Sequence, residues 1–348
     1  MRNADARTRA AAGDASVFNA GRHHHAFLLM PRFIAPMVVA ATMVVGADVA
    51  SGQNYPVKPI RVLTAEPGGG LDVAARIIAQ GLTGSVGKQV IVENHGAGAF
   101  AAEIVAKAPP DGYSLLLYGS NVWIAPFLRD DVPWDPVKDF STITLAVRSP
   151  NLVVVHPSLP VKSVKELIAL ARARPGELNY ASGSTGSSPH LAAELFKAMA
   201  HVNIVRVPYR GNAFAYADLV RGQVQLVFPT AGSVAPYLKS GRLRALAVTT
   251  AQRSELLPGL PTVAESGLPG YETASIIGMF APAATPAAII GRLNDEVVRV
   301  LKKPEVKDRF FNMGVEAVGS SPEEFAATMK SEMARLGKML RDAGIRDE

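Results

Sequence analysis

The chain has 348 residues, no cysteine, a formal net charge of +6 and 48% hydrophobic residues. Without cysteine there can be no disulfide scaffold, iron–sulfur cluster, cysteine-based zinc site, thiol nucleophile or lipidated cysteine. Only 19% of residues are charged, and with so much apolar content the chain is not of the disordered class.

The charge is unevenly divided. Residues 1–52 hold five arginines (2, 7, 9, 22 and 32) and three aspartates (5, 14 and 48). The rest holds 31 basic and 27 acidic residues, often adjacent, as in Lys165-Glu166 and Lys307-Asp308-Arg309. No basic run is interleaved with aromatics, so nucleic-acid binding is not expected. Residues 33–45 (FIAPMVVAATMVV) are almost wholly apolar, preceded by Arg32 and followed by Ala47 and Ala50-Ser51-Gly52. This order of charged, apolar and small residues predicts an export signal cleaved near Gly52, with Ala50 nearly as suitable. The apolar run falls short of the roughly 20 residues that a membrane-spanning helix needs. Residues 1–29 make an overlong n-region, whereas Met30 would begin a signal of ordinary length and is the expected start. His23-His24-His25 lacks the spaced donors of a metal site.

From residue 53 onward, short apolar strands alternate with helical patterns, which predicts an α/β fold with mainly parallel sheets flanked by helices. A strand at 60–64 leads through glycines into a helix with Leu71, Ala74, Ala75, Ile77, Ile78 and Leu82 on one face. Strands are predicted at 90–92, 114–118, 152–155, 205–207, 225–228 and 243–249. A helix at 99–107 stops at Pro109-Pro110-Asp111-Gly112. Ser163 and Glu166 fit a capping box, as do Ser321 and Glu324. Ser188-Pro189 reads as an N-cap followed by proline at the first helical position. The C-terminal part is helical, with Phe325, Met329, Met333, Leu336 and Leu340 on one stripe; these methionines are core contacts.

Two loops stand out. Glu66-Pro67-Gly68-Gly69-Gly70-Leu71-Asp72 joins a strand to a helix. Its glycines allow close backbone approach, and the helix N-terminus offers free N–H groups suited to a carboxylate or phosphate. Asp72 can accept backbone N–H bonds there. A plain tight turn would look the same, and the spacing fails the dinucleotide fingerprint. Ser182-Gly183-Ser184-Thr185-Gly186-Ser187-Ser188 also lies between a strand and a helix, with hydroxyls in place of charges. The nucleophile spacing Gly-x-Ser-x-Gly is absent, and nearby His190 reads as structural. Residues 81–89 resemble a phosphate loop only superficially and read as a helix end. No metal-binding or calcium-loop spacing occurs, and no cofactor is called for. Two such loops suggest a clamp that holds a dicarboxylate or an amino acid.

Tyr55-Pro-x-Lys-Pro-Ile60, Gly68-Gly-x-x-Asp72, Val92-Glu-Asn94, Ala108-Pro-Pro-Asp-Gly-Tyr113, Pro208-Tyr209, Gly222-Gln-Val224, Leu246-Ala-Val248 and Pro261-Thr-x-x-Glu265 follow one another in this order. Together they resemble the tripartite tricarboxylate transporter solute receptors, or Bug family, over about residues 54–345. The resemblance implies a two-domain periplasmic binding protein of type II-like architecture that closes over its ligand. Domain 1 would hold residues 53–152 and 276–348, and domain 2 residues 153–275. It further implies ligand contacts from Gly68, Gly69, Gly70, Leu71, Asp72, Ser120, Asn121, Ser182, Gly183, Ser184, Thr185, Tyr209, Thr230 and Ala231, to which Glu66 and Pro67 are added as the neighbouring residues of the first loop. His190 joins this set by proximity. Membrane permease subunits are the implied partners of a monomeric receptor, and the cargo would be a small organic acid, an amino acid or a related small molecule. The other class considered is a secreted hydrolase or isomerase on the same fold, for which no acid–base pair or nucleophile is evident. The chain departs from the family pattern in two places. Ala65-Glu66-Pro67 replaces the usual aromatic–Pro–Ala lead, and His95-Gly-Ala-Gly98 replaces Arg-Pro-Gly-Ala-Gly. An ionised Glu66 beside the pocket would repel an anion, which favours a zwitterion, an aromatic acid or an amide.

Overall fold

The structure, a computed structural model, describes residues 55–346 apart from 69, 96–99, 184 and 210; the expected leader, Met30 start and cleavage site lie outside the described residues. In chain order the elements are β1 (Ile60–Thr64), α1 (Gly70–Val86), β2 (Val90–Asn94), α2 (Phe100–Ala106), β3 (Ser114–Gly119), α3 (Asn121–Leu128), β4 (Phe140–Pro150) and β5 (Leu152–Val155). They continue with α4 (Val164–Ala173), β6 (Asn179–Ser182), α5 (Ser188–Ala200), β7 (Val205–Pro208), α6 (Asn212–Val220), β8 (Leu226–Val227), α7 (Ala231–Lys239) and β9 (Arg244–Val248). The last are β10 (Ala274–Pro282), α8 (Ala287–Leu301), α9 (Pro304–Asn312), β11 (Glu316–Ala317) and α10 (Pro322–Asp342).

The strands form two mixed sheets, ordered β11-β4-β10-β3-β1-β2 and β7-β6-β8-β5-β9. Pairing is parallel among β3, β1 and β2, and among β8, β6 and β7. It is antiparallel around β10 and β4, and around β5, where the chain crosses between sheets. Parallel strands buried on both faces need apolar residues at successive positions. β3 meets that need: Leu115 and Leu117 face one cluster with α1 and α8, and Leu116 and Tyr118 face another with α2, α3 and α10. β5 divides likewise, Leu152 and Val154 to one side and Val153 and Val155 to the other. The cluster under α3 and α10 is continuous from the first sheet to the second: it contains Leu63 and Trp123 as well as Val153 and Phe196. Trp123 is fully buried, packs edge-on to Phe325 and donates its indole N–H to Glu332 Oε2 at 3.0 Å.

One local expectation holds and two shift. The Ser321–Glu324 capping box forms in full. At α4 only half of the box forms, because Glu166 accepts from the backbone N–H of Lys162 instead of Ser163. The N-cap of α5 is Ser187, and Ser188 opens the helix. The Ser188 hydroxyl is drawn to Asn151 Oδ1 at 2.5 Å, which removes it from capping. The long strands β4 and β10 were not expected, since Thr, Ser and Gly interrupt their apolar residues.

The crossing points are tied together. Asn151, between β4 and β5, is fully buried and donates to the Phe228 carbonyl at 2.8 Å. Its own carbonyl accepts the Thr249 N–H at 2.9 Å, and the Thr249 hydroxyl lies 2.9 Å from the carbonyls of Asn151 and Thr273. Both strand crossings therefore pass through one hydrogen-bonded knot.

Candidate functional site

In parallel α/β layers ligands bind beyond the carboxyl ends of the strands. Every described candidate residue lies there: those of 66–72 after β1, Ser120 and Asn121 after β3, Ser182 at the end of β6 with Gly183, Thr185 and His190 beyond it, Tyr209 after β7, and Thr230 and Ala231 after β8. Gly69 and Ser184 are outside the described residues.

The loop after β1 is pinned at both ends. Asn94, at the end of β2, donates to the Ala65 carbonyl at 2.7 Å and to Asp72 Oδ1 at 2.8 Å. Asp72 Oδ2 accepts the Gly68 N–H at 2.9 Å, bending the loop back onto the first turn of α1. Gly68 has φ +83°, a conformation that excludes most other residues. Arg76, one turn on, bonds both Asp72 Oδ1 and Asn94 Oδ1 at 2.9 Å. Burial opposes the Asp72 charge, but Arg76, the Gly68 amide and Asn94 together hold its pKa at about 2. Asp72 is therefore an ionised brace with its charge already matched. Glu66, Pro67, Gly68 and Gly70 are exposed at the tip, and Leu71 is half-buried against the core.

The loop after β6 has a brace that sequence reasoning missed. Arg206 on β7 donates to Ser182 Oγ at 2.8 Å, to the Gly183 carbonyl at 2.8 Å and to Thr185 Oγ1 at 3.2 Å. Its signal was an arginine placed between Val205 and Val207 in a short strand, in register with Tyr180. A guanidinium suits this because its fork of donors is rigid and always charged. His190 is buried, and its Nδ1 accepts the Gly186 N–H at 3.1 Å. Burial first, then the Arg206 and Lys197 charges, lower its pKa to about 3, so the ring is neutral and serves to shape the loop. The rest of the set is mixed. Tyr209 donates its backbone N–H to the Ser182 carbonyl at 2.8 Å, while its hydroxyl turns away to Asp218 at 2.9 Å. Ser120 is buried at the start of α3, and Asn121 is exposed. Thr230 is the N-cap of α7, with its hydroxyl 3.2 Å from Ser233 Oγ, and Ala231 is buried.

Two loops of the second sheet touch elements of the first. A Cβ on Gly186 would fall 2.3 Å from Leu128 Cδ1, so the loop after β6 abuts the end of α3. One on Gly232, in the first turn of α7, would fall 1.9 Å from the Met313 carbonyl oxygen after α9. The site is thus built of backbone N–H groups, hydroxyls and helix N-termini, with charged residues used as braces from behind. Among the described residues no group of acidic and histidine side chains could hold a metal ion, and no helix is long and apolar enough to cross a membrane.

Comparison with known proteins agrees with this architecture. The profile described as "Tripartite tricarboxylate transporter family receptor" matches residues 74–345. The structure of Rhodopseudomonas palustris Rpa4515 with adipate is 38% identical, with a TM-score of 0.73 over 84% of this chain and 99% of that one. The periplasmic binding protein BugD is 30% identical, with a TM-score of 0.71 over 84% of this chain and all of its own. MatC from Rhodopseudomonas palustris, with bound malate, is 28% identical, with a TM-score of 0.70 over 82% of this chain and all of its own. The chain belongs to the tripartite tricarboxylate transporter receptor family of solute-binding proteins.

Proposed function

We propose that this chain is an exported, monomeric receptor that holds one small carboxylate-bearing molecule between two closing lobes and releases it unchanged to membrane permease subunits. The lobes would be residues 53–152 with 276–348, and residues 153–275, joined at the Asn151–Thr249–Thr273 knot. The signal would be removed near Gly52, leaving the receptor in the periplasm. The observation that carries this reading is the presence, on both sheets, of glycine- and hydroxyl-bearing loops at strand ends that run into helix N-termini, each braced by a cation behind it. Such preformed dipoles bind an anion without reorganisation. Hydrolysis is not favoured, because the His190 Nδ1 lone pair is used by the Gly186 amide. A hinge closing over the ligand would shift an open–closed population by the ligand's preference for the closed form. The adipate and malate of the related structures set the expected size of the cargo.

Mass spectrometry of small molecules released on denaturing freshly purified protein is expected to yield a carboxylate-bearing compound. Release of none, with no carboxylate raising the melting temperature, would overturn the reading. Asp72→Ala frees the Gly68 amide and removes one of the bonds that hold the Asn94 side chain, so affinity for the released compound should fall about tenfold or more while circular dichroism is unchanged. Equal affinities in calorimetry would remove Asp72 from the site.

A further inference from the structure

The cations behind the two loops differ in one respect. Arg76 lies 2.9 Å from Asp72 Oδ1, so the brace of the first loop is electrically neutral. Arg206 braces the second loop through uncharged groups only: Ser182 Oγ, the Gly183 carbonyl and Thr185 Oγ1. Among the described residues no Asp or Glu forms an ion pair with it. The acids of this neighbourhood are engaged elsewhere. Glu194, bonded to the Tyr180 that pairs with Arg206, is held by Lys197 at 2.7 Å. Asp218, bonded to Tyr209, is held by Arg221 at 3.4 Å. The guanidinium is also half-buried, and a charge partly withdrawn from water is screened less than one on the surface.

Hydroxyl chemistry carries that charge to the turn. A guanidinium N–H can only donate, so Thr185 Oγ1 accepts from it, and the Thr185 proton has no acceptor among the described residues. Thr185 is half-buried and precedes Gly186, whose Cβ position lies 2.3 Å from Leu128 Cδ1 of α3. This part of the loop therefore stands where the second sheet's loops meet the first sheet's helices. Ser187, the N-cap of α5, has a buried hydroxyl with no partner among the described residues. An unpaired buried hydroxyl is costly, and an oxygen anion held on this turn would satisfy it.

We propose that Arg206 sets the charge preference of the receptor: its unmatched charge, relayed by the Thr185 hydroxyl, favours an ionised carboxylate over the corresponding amide at the second loop. One such carboxylate suffices, because the first loop offers no unmatched cation to a second. Arg206 is a positioning residue for the hydroxyl and does not touch the cargo. A donor polarised by a cation makes the stronger kind of hydrogen bond to a carboxylate. This inference rests on the solute-receptor reading and deepens it.

The probes are adipate, its monoamide and its diamide, together with any acid released from the purified protein and the amide made from it. Calorimetry should show the monoamide binding within about threefold of adipate, and each fully amidated probe about tenfold or more below its acid. Arg206→Gln removes the charge and should shrink the acid-to-amide ratio to about threefold or less. Arg206→Lys keeps the charge but loses the fork, so acid and amide should weaken together and the ratio should persist. A merely structural brace would weaken every probe alike in both variants. The α5 dipole is the same in all three proteins and cannot mimic the difference. Circular dichroism checks folding; if Arg206→Gln does not fold, the parent ratio and Arg206→Lys still decide. Amides bound as tightly as their acids, a ratio unchanged in Arg206→Gln, or a ratio lost in Arg206→Lys would overturn the role of Arg206 and leave the receptor reading intact. Binding of no probe, with no carboxylate released from the purified protein, would overturn both.

Discussion

Replacing Gly232 with alanine should lower the melting temperature by roughly 3–5 °C, the effect of about 2–3 kcal/mol of overpacking in a chain of this size. The cause is a backbone crossing. The added Cβ would sit 1.9 Å from the Met313 carbonyl oxygen and 2.9 Å from its carbon, and neither atom belongs to a side chain that could rotate away. The opposing residue is equally restricted. Gly314 has φ +71°, and a Cβ there would meet the Gly232 nitrogen at 2.4 Å. The turn itself is anchored, since the Gly314 carbonyl accepts the Ser149 hydroxyl at 2.8 Å and Glu316 accepts the Ser254 hydroxyl at 2.7 Å. Gly84→Ala is the matched comparison: it lies inside α1 with nothing within 4 Å of its Cβ position, so helix propensity should leave it unchanged or raise it by about 1 kcal/mol. Differential scanning calorimetry of the two variants decides the matter. Equal melting temperatures would show that the α7–α9 crossing opens freely.

The second large effect is a loss of stability with rising pH. Glu332 is 6% exposed, and burial raises its pKa to about 7 against the help of the Trp123 indole and the Arg335 charge, with Glu272 adding to the rise. The folded state thus holds a proton that the unfolded chain releases near the ordinary value of 4.5. The stability from that proton is fully present below about pH 4.5 and is lost as pH climbs through about 7. The difference corresponds to at most about 3 kcal/mol above pH 8. Glu332→Gln keeps an acceptor for the Trp123 N–H and cannot ionise. It should be more stable than the parent chain at pH 8 and close to it at pH 4.5. Urea denaturation at several pH values checks this, and parallel pH profiles for the two proteins would rule it out.

Interactions confined to one loop were legible in the amino-acid order. Asp72 stands four residues from Gly68, so a strand–glycine–helix pattern suffices to place both, and the Ser321 capping box is equally local. The braces were hidden because their partners are remote in the chain. Arg206 reaches Gly183, Asn94 reaches Ala65, and Asn151 reaches Phe228 across 77 positions. Trp123 and Glu332 are 209 positions apart, and nothing near either one announces a buried carboxylate. β4 and β10 escaped for another reason. Antiparallel strands at the crossing between sheets need neither glycine-rich loops nor unbroken apolar runs, so β4 and β10 lack the marks that identified β1 and β3.

Leu63 and Trp123 share one apolar cluster with Val153 and Phe196, so neither sheet can expose its inner face to water without exposing the other's. The described chain therefore denatures as one cooperative body, in the way expected of a single core. A molecule that binds only the folded chain stabilises the whole of it, by RT ln(1 + [L]/Kd), and one melting transition reports its capture.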